Sequence, residues 1–267
     1  NALQANQESL QGTPLDTPDT ETVARALVGT LIRQKRMDDA IARATAFSKR
    51  FRDSYIWQLQ LANLLEQREQ MNQANPTENR ERLDPIRVVN LYKQAAKLSD
   101  YNVQLVTECL AAMLRHKRTD DLIEFLNKEL PADKRTYGQR LYLAAAYVVK
   151  EQKDAARAEY KQAIVEAKDE ATSVAAIVDA AIQTLGTDVA SKLLDELRAA
   201  NPKNRSIPLC EAVLLTRKAM AIGDKPEAAT VWEDSLKKYS EFLATATAPL
   251  EQSDVLRKMA TIYTELK

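Results

Sequence analysis

The stretch LAAAYVVKEQKDAARAEYKQA, Leu143 to Ala163, decides how the rest of the chain is read. Large and small residues alternate in it at helical spacing. Leu143, Ala144 and Tyr147 share one face of a first helix, and Ala156, Tyr160 and Ala163 share one face of a second. The pattern suits two packed antiparallel helices. A hairpin of this size cannot bury its apolar faces alone, so stacked copies are expected on either side of it.

The copies emerge on stepping along the chain by about 34 residues, the length of one helix-turn-helix unit. Leu27 and Leu31 map onto Leu61 and Leu65, while Leu143, Ala156, Tyr160 and Ala163 map onto Ile177, Ala190, Leu194 and Leu197. Elsewhere the register drifts. Val88, Tyr92 and Ala95 give the second-helix pattern only after an insertion, and Leu110, Ala111 and Leu114 give a first helix. Ala228 and Trp232 follow the turn Gly223-Asp224, and Met259, Ala260 and Tyr263 begin a further first helix. The tally is about six hairpins and a terminal helix.

Prolines test this assignment independently, because an internal proline removes a hydrogen bond and costs about 3 kcal/mol. Pro18, Pro85 and Pro226 are placed in first turns, with Thr17, Asp84 and Asp224 as capping residues before them. Pro131, Pro202, Pro208 and Pro249 are read as punctuating gaps between helices. Five glycines and few Val, Ile and Thr clusters at period two leave no competing case for a sheet. The fold expected is all-α.

The repeat resembles the tetratricopeptide family, whose units carry W-x2-L-G-x2-Y, then A-x3-F, A and P. The fourth unit matches best, with Leu143-Ala144, Tyr147, Ala156-x3-Tyr160 and Ala163; the fifth adds Pro202, where the family ends a repeat. No unit has the family's tryptophan in register. Trp57 falls one residue early against Leu61-Ala62, and Trp232 takes a second-helix aromatic position. Units one and three are degenerate, with Gly29 one place beyond the small residue and Asn127 where an aromatic should stand. The resemblance implies a right-handed superhelical solenoid over residues 17–267, preceded by a polar segment over 1–16.

Asn1-Ala2 resembles the remnant of a cleaved tag, so an upstream targeting segment or further repeats are expected. Two insertions depart from the repeat. The very polar stretch near 66–84 either lengthens the helices of the second hairpin or projects as a loop, and 237–252 extends a helix through Phe242 before the linker Ala244 to Pro249.

Charge narrows the choice of partners. Thirty-eight basic and thirty-eight acidic residues cancel, without the basic excess that displaces counterions from phosphate, so no nucleic-acid partner is expected. No apolar run reaches about 18 residues, so no direct membrane insertion is expected either. Catalytic chemistry has little to stand on. His116 is the only histidine, Cys109 and Cys210 are the only thiols, and no phosphate loop, zinc spacing or nucleophile elbow occurs. Cys109 and His116 lie two helical turns apart, about 10 Å, which is beyond a hydrogen bond. No catalytic residue, cofactor or metal is assigned. Cys109 reads as a core residue and Asn204-Arg205-Ser206 as a capping turn rather than a glycosylation site.

In the family resembled, first helices line a concave face that contacts ligands. Carried over unit by unit, that geometry places Ile56, Leu59 and Asn63 from the second hairpin, and Glu108, Ala112, Arg115 and His116 from the third, along a peptide groove. The fourth offers Leu141, Ala145 and Val148; the fifth and sixth offer Asp179, Ile182, Val213 and Arg217. The implied function is a non-enzymatic scaffold for a protein or peptide partner. The alternative is a structural spacer or assembly module of a larger polypeptide, such as an envelope-associated one, its groove filled by its own chain; the same apolar residues would also be accounted for by packing against neighbouring helices.

Overall fold

A computed structural model describes residues 18–74, 83–168 and 170–266, and among these the chain forms thirteen α-helices, one 3-10 turn and no strand. The segment 1–16, Thr17 and the 75–82 part of the first insertion lie outside the described residues. The chain divides into two compact units at Arg118–Thr119.

The first unit holds α1 (Pro18–Arg33), α2 (Met37–Arg50), α3 (Tyr55–Ala74), α4 (Pro85–Leu98) and α5 (Val103–Arg115), each packed on the next. Leu27, Leu31, Leu61 and Leu65, which share a register one repeat apart, are all buried. Each such side chain contributes about 1.5–3 kcal/mol when taken out of water. Trp57, out of register in the sequence, is wholly buried with its ring centroid 4.9 Å from Phe47 and 6.1 Å from Phe51. α3 runs nine residues past Leu65 to Ala74, and the part of the polar insertion where a loop would project, 75–82, lies outside the described residues.

The second unit holds α6 (Thr119–Glu129), α7 (Tyr137–Val149), α8 (Lys153–Ala167), α9 (Ala171–Leu185), α10 (Thr187–Ala200), α11 (Ile207–Ile222), α12 (Pro226–Leu243) and α13 (Pro249–Glu265). Successive helices pack together, and α9 also packs on both α7 and α11. Tyr160 of α8 is 2% exposed, and its hydroxyl reaches Thr184 Oγ1 of α9 at 2.9 Å, so one aromatic ties a hairpin to the next. Between α6 and α7, Arg135 donates to the carbonyls of Leu126 and Leu130, while Arg140 binds Glu159 and Glu166 of α8.

Local sequence explains where helices start and stop. Asp84 caps α4 ahead of Pro85, accepting from the Ile86 N–H at 2.9 Å. Thr136 and Gln139 form a capping box on α7. Pro208 and Pro249 do not mark gaps as the sequence suggested; both sit in the first turn of a helix, where the missing donor costs no intrahelical bond. Lys225, not Asp224, occupies the cap position of α12 and makes no side-chain cap. The C-terminal stops repeat. Lys35, Lys117 and Glu151 all have φ near +58°, at 59°, 57° and 59°. After each, a backbone N–H returns five residues: Arg36 to Leu31, Arg118 to Met113 and Gln152 to Tyr147. This is the Schellman closure, used with a side-chain residue where glycine is usual.

Candidate functional site

Two groups of side chains, one in each unit, gather residues that the sequence assigned to a groove. In the first unit Asn63 and Glu66 stand three residues apart on α3 and therefore share a face. Tyr92 of α4 reaches both, its hydroxyl 2.6 Å from Asn63 Oδ1 and 2.9 Å from Glu66 Oε2. From α5, Arg115 donates through Nη2 to both Glu66 oxygens at 3.0 and 2.9 Å, and His116, the cap residue closing that helix, sets Nε2 2.8 Å from Oε1. Burial by itself raises the Glu66 carboxyl, but hydrogen bonds from His116, Tyr92 and Arg115 outweigh it and hold the group below its ordinary value. A polar cleft of about 400 Å³, bordered by Glu69, Gln73 and Pro85, opens beside this knot.

The carboxylate of Glu66 is saturated by these donors. The knot therefore joins α3, α4 and α5 and leaves little hydrogen-bonding capacity for a ligand. Glu108 is half-buried, bound at 3.4 Å by Gln104 of its own helix, and Ala112 is fully buried. Ile56 and Leu59 are half-buried on α3. Cys109 lies wholly inside, its thiol pushed up to about 12 by burial, and the same holds for Cys210 in the other unit. Neither supplies a thiolate at neutral pH.

The second unit contains a different kind of site, an apolar cleft of about 300 Å³ between α9, α11, α12 and α13. Ala175 and Ala176 of α9, with Val213 of α11, form one side of it. Trp232 and Tyr239 of α12, Met220 of α11 and Ile262 of α13 enclose the remainder. Asp179 and Arg217 meet in the wall in a two-pronged pair, Nε to Oδ1 at 2.6 Å and Nη2 to Oδ2 at 2.7 Å. Burial raises the Asp179 carboxyl, but the hydrogen bonds and charge of Arg217, joined by Gln183, more than offset it and keep it low. Lys258 lines the same cleft and is paired with Asp254 at 2.9 Å.

Asp179, Val213 and Arg217 are thus brought together, while Ile182 is buried in the core near them. Leu141 and Val148 are partly buried against the core of the second unit, and Ala145 is half-buried beside them on α7. Sequence reasoning missed Glu66, which it assigned only to the polar insertion, and the cleft residues Met220, Tyr239 and Lys258. A signal for Glu66 existed: three residues beyond Asn63, it falls on the face already assigned to the groove. Lys258 carried none, since it depends on how α13 packs. Among the described residues no three metal-binding side chains converge, and no helix is long and apolar enough to cross a membrane. No protein-family model matches this chain, and no curated protein matches it.

Proposed function

We propose that the chain is a tetratricopeptide-type array of six hairpins and a terminal helix, right-handed and superhelical, that holds a protein or peptide partner on its first helices and performs no chemistry of its own. The observation that carries this reading is the cleft between α9, α11, α12 and α13. It combines apolar walls with a fixed ion pair and includes three residues that the family resemblance assigns to a groove. A volume of about 300 Å³ stands at the lower end for ligand pockets, room for one bulky side chain rather than for a large cofactor. Peptide recognition works that way, through apolar anchors set in pockets along a rigid surface. Further support comes from the thirty-four-residue step between the turns at Lys117 and Glu151, since equal closures one period apart are expected of repeated hairpins.

The structural-spacer reading draws on Ala112, Ile182, Leu141 and Val148, which pack inward instead of lining an open surface. Affinity capture with the wild-type chain and with Met220→Glu separates the two. Met220 is half exposed at the cleft, so its replacement should leave the fold intact, which the variant's thermal melt checks. Proteins retained by the wild type and lost by the variant are the expected result. A retained set indifferent to the substitution would favour the spacer.

A further inference from the structure

The charged hydrogen-bonding capacity left over in the cleft lies on the donor side. Both oxygens of Asp179 are engaged: Oδ1 accepts from Arg217 Nε, and Oδ2 accepts from Arg217 Nη2 and from Gln183 Nε2 at 2.7 Å. Of the hydroxyls, Thr216 Oγ1 lies 2.8 Å from Ser235 Oγ and Thr261 Oγ1 donates to the Arg257 carbonyl, which leaves them neutral acceptor lone pairs. On the donor side, Arg217 Nη1 has no partner among the described residues. Lys258 spends one of its three N–H groups on Asp254. The lining itself has two cations against one carboxylate, since Asp254, the partner of Lys258, lies outside it, and the walls around them are apolar. An incoming cation would meet only neutral hydroxyl oxygens, whereas an anion would meet two charged donors.

We infer that the cleft takes an apolar anchor side chain of an acidic peptide, with a carboxylate adjacent to the anchor received by Arg217 and Lys258. This rests on the peptide-binding reading and deepens it by fixing the charge of the partner. Trp232 and Tyr239 give the anchor a flat aromatic wall, and Met220, unbranched and half exposed, adapts to its shape. Arg217 is held in position by Asp179, so it presents its remaining donor without losing side-chain freedom on binding.

A random dodecapeptide library displayed on phage, selected in parallel on the wild type and on Ala176→Phe, tests this. Ala176 is exposed on α9 at the cleft, so the larger side chain fills the space without entering the core. Met220→Trp provides a second blocked variant should the first fold poorly, since Met220 is half exposed and the larger ring overlies the cleft. The expected result is that sequences enriched only on the wild type join an aromatic or aliphatic residue to Asp or Glu. Synthetic copies should bind Lys258→Gln about fivefold to tenfold more weakly, with affinity regained by Lys258→Arg. Wild-type-specific sequences that are basic or uncharged would overturn the acidic partner and leave peptide binding standing. Affinity unchanged in Lys258→Gln would overturn the proposed charge contact. Absence of any sequence that distinguishes wild type from both blocked variants would overturn peptide binding itself.

Discussion

The knot around Glu66 and the cleft beside Asp179 are built from the same parts, a carboxylate on one helix and an arginine from the helix two further along. They end in opposite states. Glu66 receives Arg115, His116 and Tyr92, and its polar capacity is consumed in joining three helices of one unit. Asp179 receives Arg217 and Gln183 only, beside alanines and a valine that leave space. A small-residue wall next to an ion pair makes a cleft, and a tyrosine and a histidine next to one make a lock.

The largest effect should come from the aromatic that ties α8 to α9. Tyr160→Ala removes a nearly buried ring and its bond to Thr184, and should cost about 3–5 kcal/mol. Because repeat units are stabilised by their neighbours, the loss should spread through the second unit and take the cleft with it. Thermal melting of the variant checks this. An unchanged melt would mean that the hairpin register is wrong.

Next in size is the lock. Glu66→Gln removes the charge and turns one of the two acceptor oxygens into a donor facing Arg115, His116 or Tyr92, and should cost about 1–3 kcal/mol at neutral pH. The folded carboxyl is held low, so its contribution is complete above the unfolded value of about 4.3 and disappears as pH falls through the lower folded value. Urea unfolding of wild type and variant should therefore differ at neutral pH and converge in acid. Asp179→Asn should behave the same way with a smaller gap, since fewer groups hold that carboxyl. A larger gap for Asp179 would reverse the contrast between lock and cleft.

What the sequence made legible divides along the same line. Period and residue size located the helices, because burial of Leu27, Leu61, Ile177 and Tyr160 depends only on position within a repeat. The linker after Phe242 was legible for the same reason, with α12 ending at Leu243 and α13 starting at Pro249. Pro208 and Pro249 were misplaced because a proline in the gap and one in the first turn look alike along the chain. Met259 is buried as its position requires, yet Ala260 and Tyr263 are exposed, because no second helix covers that side of α13 among the described residues. The site was half legible. Position in the repeat picked out Asp179, Val213 and Arg217, but whether such residues form a lock or a cleft depends on which side chains arrive from other helices, and no periodicity encodes that.

A smaller effect tests whether the two units share one turn design. Lys117 and Glu151 adopt a left-handed conformation that is strained for a side-chain residue, so glycine at either position should stabilise by about 0.5–1 kcal/mol. Loss of entropy from a more flexible unfolded chain works against the gain. Chemical denaturation should show both variants moving in the same direction. Opposite signs would mean that the turns are alike in geometry but not in energy.

The smallest change in stability should accompany a visible change in binding. Asp254 and Lys258 are about 40% exposed and one helical turn apart, so their ion pair contributes little, and Asp254→Asn should alter stability by less than about 0.5 kcal/mol. The substitution nevertheless frees Lys258, which faces the cleft. If the cleft receives an acidic peptide, affinity for one should rise severalfold, mostly at low salt, because an exposed lysine acts through screened attraction. In the first unit Glu66→Gln should leave that affinity unchanged, as the lock has no part in the cleft. Titration of both variants with one acidic peptide at two ionic strengths makes the comparison direct. A fall in affinity for Asp254→Asn would mean that Asp254 positions Lys258 instead of occupying it, and would keep the charge contact while reversing the role of its neighbour.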